Sequence, residues 1–315
     1  MLNNRDHNKC IVCFDKIEDL NFNLFDTRFG IKNLYQIGKC SNCGLIQIFP
    51  LPSEDDLKAL YEENYNFGGE SGTVYSRLRD HFLSSSAYLL WLFLDGDVSF
   101  HSYFGSGSLL DVGCNEGRSL LIYKKHGFRP EGLELNEKAA AVATAKGFKI
   151  HTELIEDFYP EEKYDLVVLA NVLEHSTRPT EMIRHVARIL NPGGQVWISC
   201  PNVESWQRKL FGRYWINWHV PFHIAHYSNK TLNILLMDEG FHIEDIRQES
   251  PSAWMTQSLI ARFYAKRGKP TKKLRNPLLV GSMMLFIRLF CFPILWFGNH
   301  FGIGDCLVVK AKKDF

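Results

Sequence analysis

Three groups of residues in this 315-residue chain have types and spacings suited to chemistry. The first is LLDVGCNEGRSLL at 109–121, where Gly113 and Gly117 bracket Cys-Asn-Glu behind an apolar run that contains Asp111. A short apolar strand entering a glycine turn and then a helix brings backbone close to a nucleotide. Gly113 permits that approach, and Gly117 lets the helix begin close to the strand. Asn115 stands between them; asparagine is frequent in left-handed backbone, so the turn is expected to hold. Glu134 ends GLELN, 21 residues after Gly113, where a carboxylate can accept both hydroxyls of a ribose. The competing reading is an acid beside the start of a helix at 136–146.

The second group is cysteine. Cys10-Ile-Val-Cys13 and Cys40-Ser-Asn-Cys43 are two Cys-x-x-Cys turns separated by 26 residues, with room for a β-hairpin between them. Two such turns aim four thiolates at one point, a closed tetrahedral set suited to structural zinc. Disulfides or four unrelated buried thiols are the competing readings; His7 is read as a solvated surface residue.

The third group is GRYWINWHVPFHIAHYSNKTL at 212–232, with three imidazoles, His219, His223 and His226, in eight residues. Imidazole is a suitable base for a sugar hydroxyl or for a carbon acid beside a ketone. Trp215 and Trp218 can stack on a sugar or another apolar face. A three-histidine metal site has no supporting carboxylate or helical spacing. A purely structural loop stays open, since Ser228 suits the N-cap of a helix at 229–239. LEHSTRP adds Glu174 and His175 just past a predicted strand, with a structural role for His175 equally open.

These residues need a frame. From Ser108 onward short apolar runs at 108–112, 129–134, 148–151, 164–170, 194–200, 241–249 and 305–311 alternate with amphipathic helices. That pattern predicts an α/β fold, a parallel sheet covered on both faces with ligands at the carboxyl ends of its strands. Ser53 and Asp56 could cap a helix through Tyr61, residues 76–95 carry a helical pattern, and FGSGS at 104–108 reads as a linker. The net charge of +1 gives no pull toward nucleic acid, and the first twenty residues lack the apolar run of a signal peptide, which points to the cytoplasm.

LLDVGCNEG, GLELN, YDLVVLANVLEHSTRP, LNPGGQVWISCPN and HIAHYS together resemble the class I S-adenosylmethionine-dependent methyltransferases. The likeness is greatest to a branch with an N-terminal zinc ribbon among sugar-modifying enzymes, and it covers roughly residues 10–249. It implies a Rossmann-like, doubly wound seven-stranded methyltransferase sheet. The zinc ribbon would occupy 1–52, a helical linker or lid 53–107, the methyltransferase domain 108–249 plus 305–315, and a helical insertion 250–304. It assigns Asp111, Gly113, Asn115 and Gly117 to the methionine end of the cofactor, Glu134 to the ribose, and Leu154 and Ile155 to the adenine. Asn171 would lie beside the sulfonium. His223 matches the family's recurring histidine and is the first candidate base, followed by His226 and His175, with Trp215, Trp218 and Tyr227 toward the acceptor. The one departure is Asn115, where the family usually has glycine.

Hydride transfer would need a second phosphate-binding half, and there is no second glycine turn; methyl transfer needs a held sulfonium, an acceptor in line and often a base. The expected reaction is therefore O- or C-methylation of a sugar or nucleotide-sugar, in cell-surface polysaccharide or natural-product synthesis. The alternatives are a zinc-ribbon RNA methyltransferase and a non-catalytic module that keeps cofactor as a structural ligand.

Residues 250–304 hold eight Lys or Arg and no Asp or Glu, leaving −7 on the rest of the chain. Then 278–297 is almost wholly apolar. A single membrane span is disfavoured, because Arg288 and Pro293 interrupt the run and a further strand must return to the sheet. A helix–break–helix element is expected. It would give peripheral membrane contact through 262–300, a homodimer interface or a lid over the acceptor.

Overall fold

The computed structural model describes residues 9–64, 81–83 and 85–314. His7 and residues 76–80 and 84 of the expected helix at 76–95 lie outside the described residues.

Two sheets organise the chain. The larger has seven strands in the order β10-β11-β8-β7-β4-β5-β6, with β4 at Ser108–Val112, β5 at Arg129–Leu133, β6 at Ile150–His151 and β7 at Tyr164–Ala170. Then come β8 at Leu190–Pro201, β10 at Phe241–Glu249 and β11 at Cys306–Lys313. β6-β5-β4-β7-β8 is parallel, and β11 runs antiparallel between β8 and β10. β7 needs no alternation of side-chain type because it is covered on both faces; Val167, Val168 and Leu169 are all buried. The chain builds outward from β4 to β6 and then returns to the other side of β4, so a switch point opens between β4 and β7.

The crossover helices begin where their sequences say they should. α3, Arg118–Lys125, starts directly from Gly117, which is left-handed at φ 72°. α4, Glu137–Ala145, is capped by Asn136, whose side chain accepts from the Ala139 N–H. α5, Pro179–Ile189, places proline at its first turn, α6 spans Trp206–Phe211, and α7, Asn229–Asp238, is capped by Ser228 as expected. Earlier in the chain, α1 spans Glu54–Asn64 and α2 spans Ser86–Asp95. The Ser53 hydroxyl accepts from the Asp56 N–H at 3.1 Å, the cap expected at that serine.

The smaller sheet has the order β1-β2-β3-β9. β1 (Ile17–Phe25) and β2 (Leu34–Cys40) form the expected hairpin, and β3 (Ile46–Ile48) adds to it. Its fourth strand, β9 at Ala225–His226, comes from the histidine loop, with Ile46 opposite His226. The N-terminal module is therefore not a detached lobe. Thr231 Oγ1 of α7 donates to the Cys43 carbonyl at 3.0 Å, and Ile48 N–H donates to the Ile224 carbonyl at 3.0 Å. Sequence boundaries alone place 1–52 apart; strand pairing across 180 residues has no local signal.

Between β10 and β11 lie α8 (Ser252–Tyr264), α9 (Pro277–Phe290) and α10 (Phe292–His300). α9 and α10 meet at an angle of 71°, the break expected before Pro293.

Candidate active site

The four cysteines converge. Cys10 and Cys43 sulfurs are 3.5 Å apart and Cys13 and Cys40 sulfurs 3.4 Å apart, and all four lie within 4.8 Å of one another. Four thiolates at about 2.3 Å from one zinc sit roughly 3.8 Å from each other, so the donor set fits the ion. The crowd already favours thiolate on one sulfur: hydrogen bonding from Cys10 first draws the Cys43 thiol down to about 5, while Cys10 is pushed up. The cluster is closed, with Cys10, Cys40 and Cys43 buried.

At the switch point the turn after β4 is built mainly from backbone. Gly113, Asn115 and Gly117 all have positive φ, at 73°, 50° and 72°. A Cβ on Gly117 would sit 2.9 Å from the Ala143 Cβ of α4, so glycine is needed for the helices to pack. Glu134 fills both roles open to it. One carboxylate oxygen accepts from the Asn115 N–H at 2.9 Å and the other from the Asn136 N–H at 2.7 Å. Each oxygen keeps a lone pair, so the carboxylate can still take two ribose hydroxyls. Burial raises the Glu134 pKa, and burial followed by the nearby Glu134 charge pushes Asp111 up to about 8. Two carboxyls so placed favour a ligand that brings hydroxyl donors and positive charge.

Exposed surface surrounds this pair. Gly113 and Asn115 are open on one side, Asn171 is half-buried past β7 with φ 55°, and Leu154 is exposed. Ile155, expected beside Leu154 on the ligand, is buried at 3% and belongs to the core. Sequence reading missed Leu135, 57% exposed directly after Glu134, which with Leu154 leaves two apolar side chains where a flat base could lie. Its signal was an apolar residue between the ribose acid and the Asn136 cap.

The second half of the site follows β7. Glu174, His175 and His223 offer one ligand atom each within 4.8 Å of one another. The His223 Nδ1–H donates to the Asn217 carbonyl at 2.7 Å, leaving Nε2 with its lone pair 3.9 Å from a Glu174 oxygen. The His175 Nδ1–H reaches the Phe222 carbonyl at 3.0 Å and the Tyr61 hydroxyl at 2.8 Å. Glu174 is fully buried with neither carboxylate oxygen hydrogen-bonded, and burial raises it to about 8. Burial lowers His175 to about 4 and holds His223 well below the usual imidazole range, so both rings are neutral at physiological pH. The carboxylate absent from the sequence argument about these histidines is thus present, contributed by the neighbouring loop. Tyr61 of α1 and Phe29 after β1, stacked on His219 at 5.8 Å, were also missed. They reach the site only through the fold.

The remaining candidates are interior. His226 is 1% exposed, packs edge-on against Trp218 at 4.7 Å, and burial brings it down to about 3. Trp215 donates its indole N–H to Asp305 at 2.8 Å, Trp218 donates to the Gly212 carbonyl, and Tyr227 donates to the Leu173 carbonyl. All three are buried, so they form the joint between the two sheets where an open stacking surface was expected. Aromatic rings spaced for a ligand and rings spaced for a core read alike in sequence.

Comparison with known proteins finds methyltransferases. Residues 94–246, just under half of the chain, match the methyltransferase domain family. The chain is 28% identical over 199 residues to a Mycolicibacterium smegmatis protein named "Probable S-adenosylmethionine-dependent methyltransferase", covering 62% of this chain and 66% of the other. It is 33% identical over 114 residues to the ubiquinone biosynthesis O-methyltransferase of Vibrio vulnificus, covering 33% of this chain and 48% of that one. The chain thus spans about half to two thirds of the length of these relatives. Among solved structures, Burkholderia thailandensis 1,6-didemethyltoxoflavin-N1-methyltransferase aligns over 89% of this chain and 96% of its own, at 15% identity and a TM-score of 0.47.

Proposed function

We propose that this chain, with its methyltransferase-domain match, is an S-adenosylmethionine-dependent methyltransferase acting on a sugar or nucleotide-sugar in the cytoplasm, with zinc held by Cys10, Cys13, Cys40 and Cys43. The observation that carries the reading is the pairing of two half-sites at the carboxyl ends of neighbouring strands. Glu134, tied to the turn after β4, supplies one half, and the Glu174–His175–His223 cluster after β7 supplies the other. The cofactor supplies a methyl group on a sulfonium. The protein's part is to hold it at Asp111, Gly113 and Glu134, to hold the acceptor, and to take a proton.

His223 is assigned the proton. Its Nδ1–H is fixed on the Asn217 carbonyl, so Nε2 is the basic nitrogen and the tautomer is set. A Glu174 oxygen lies 3.9 Å away, and its carboxylate, populated above about pH 8, would stabilise the imidazolium that forms. His175, anchored by Tyr61 and Phe222, limits how the His223 ring can turn. A sugar acceptor is supported by the motif combination and by a neutral imidazole suited to deprotonating a hydroxyl. The O-methyltransferases among the relatives favour oxygen as the atom methylated. The near-zero net charge weighs against RNA.

Calorimetric titration with S-adenosylmethionine, and in parallel with NADH, tests the cofactor half. Micromolar binding of the sulfonium alone is expected, and binding of neither sinks the reading. Release of S-adenosylhomocysteine with nucleotide-sugars tests the acceptor half. Turnover on RNA and on no sugar would transfer the assignment to the nucleic-acid alternative, and cofactor binding without turnover on either would favour the non-catalytic module.

A further inference from the structure

Methyl transfer leaves the α9–α10 pair unexplained. Ile287 of α9, and Leu295 and Gly298 of α10, are the residues these helices bury; a Cβ on Gly298 would meet the Trp206 indole nitrogen at 2.5 Å. The rest of their surface carries Phe286, Leu289, Phe290, Ile294, Trp296 and Phe297, each between 50% and 69% exposed. So dense an exposed apolar patch marks an interaction surface rather than a scatter of single residues. α2 adds to it from a distant part of the sequence. Its Leu90 and Phe93 are 60% and 84% exposed, and its last residue, Asp95, meets Arg288 of α9 at 3.5 Å.

We propose that this face docks on an anionic lipid bilayer and lies in its interface without crossing it. The charge argues for lipid over a second copy of the chain. Lys272, Lys273 and Arg275 are exposed directly ahead of α9, Lys266, Arg267 and Lys269 are exposed a few residues earlier, and 250–304 contains no acid. Two copies meeting through this face would oppose one basic segment to another, whereas an anionic leaflet complements it. The geometry argues against a span. α9 and α10 have 14 and 9 residues, about 21 and 14 Å of helix, against a hydrocarbon core of about 30 Å. They bend by 71°, and β11 then returns to the sheet between β8 and β10, so both ends of the segment stay on one side. An interfacial helix pair with aromatic residues facing lipid and basic residues beside it fits these constraints.

The Trp206 backbone N–H donates to the Ile303 carbonyl just past α10, and Asp305 accepts from Trp215, which ties the helix pair to the histidine loop. The inference goes beyond the methyltransferase reading and does not depend on it.

The test is flotation of the full chain with vesicles of phosphatidylcholine alone and of phosphatidylcholine with about one third phosphatidylglycerol. The protein is expected to float with the anionic vesicles, less at raised salt. Phe286→Asp with Phe290→Asp should reduce the partition at least about tenfold, with an unchanged melting curve as the control for folding. Lys272→Glu with Lys273→Glu should reduce it several-fold per charge and leave the apolar face intact. Protein remaining soluble with both vesicles overturns the proposal, as does equal flotation with neutral vesicles. A dimer by light scattering that the Phe286→Asp/Phe290→Asp variant abolishes, without flotation of the parent, assigns the face to a second copy instead. Cofactor calorimetry on the same samples keeps a failure of the methyltransferase reading separate.

Discussion

The turn after β4 and the loop between β8 and β9 sit on the same sheet and are made by opposite means. The turn uses backbone: positive φ at Gly113, Asn115 and Gly117, two of those residues open to solvent, and a carboxylate from the next strand as a brace. The loop uses side chains: Trp215, Trp218, His219, Phe222, His223 and His226 are all buried and packed ring against ring. A ligand can be gripped by the first as it stands. In the second, the candidate base differs from the packing rings only in its partners, a carbonyl on one nitrogen and a carboxylate facing the other.

The sharpest way to break that contrast is at His223. His223→Ala is expected to lower turnover by about 10²–10⁴-fold while leaving the S-adenosylmethionine Kd unchanged, as loss of a base should. Equal loss of cofactor affinity would mean that the loop and the turn are one binding surface. Next is Trp218→Ala, which removes a core ring that also faces His226 and Phe22. It should cost about 3–5 kcal/mol of stability by chemical denaturation. Trp218→Phe should retain the acceptor KM; a large KM change with little loss of stability would return Trp218 to the acceptor surface.

The same contrast explains what was legible in the sequence. The strands of the larger sheet were readable because most are short stretches with apolar residues set off by helices, and the turn because only certain residues tolerate its backbone. Cys10, Cys13, Cys40 and Cys43 were readable because the spacing itself is the geometry. The joint was not. β9 pairs with β3 across nearly 180 residues, Tyr61 reaches His175 from α1, and Glu174 meets His223 from a different loop. Those neighbours follow from packing, and sequence spacing carries no record of them. For the same reason Ile155, Trp215, Trp218 and Tyr227 were expected at ligand surfaces and lie inside.

Glu134→Ala moves to the turn. It removes the brace on Asn115 and Asn136 as well as any ribose contact, and a weakening of cofactor binding by about 10–100-fold is expected in calorimetry. Turnover at saturating cofactor should change much less, the converse of His223→Ala.

Glu174 sharpens the electrostatic side. Burial raises its pKa from 4.5 to about 8, so between those values the folded chain holds a proton that the unfolded chain has released. Stability then falls as pH rises through that window. His175 works the other way, lowered from 6.5 to about 4, but its effect is complete by about pH 6.5. From pH 6.5 to 8 the raised acids Glu174, Asp111 and Asp305 therefore govern, and the melting temperature should decline. Glu174→Gln should remove about 1–2 kcal/mol of that decline. An unchanged slope would mean that Glu174 is already ionised at neutral pH.

The smallest effect is expected at Asn115, the residue that departs from the glycine usual in such turns. Its φ of 50° carries a modest left-handed strain that Asn115→Gly would relieve. The same change removes the Asn115 side-chain oxygen that accepts from the Glu116 N–H at 2.8 Å, and it loosens the unfolded chain. These contributions are each about 1 kcal/mol and opposed, so stability should stay within about 1 kcal/mol and cofactor Kd within about threefold. Asn115→Val, with a β-branched residue in left-handed backbone, should lower stability and raise the cofactor Kd. The Asn115 N–H is what meets Glu134, and every substitution but proline keeps it. A tenfold change in Kd for Asn115→Gly would therefore show that the side chain itself touches the ligand, and that the turn is not held by backbone alone.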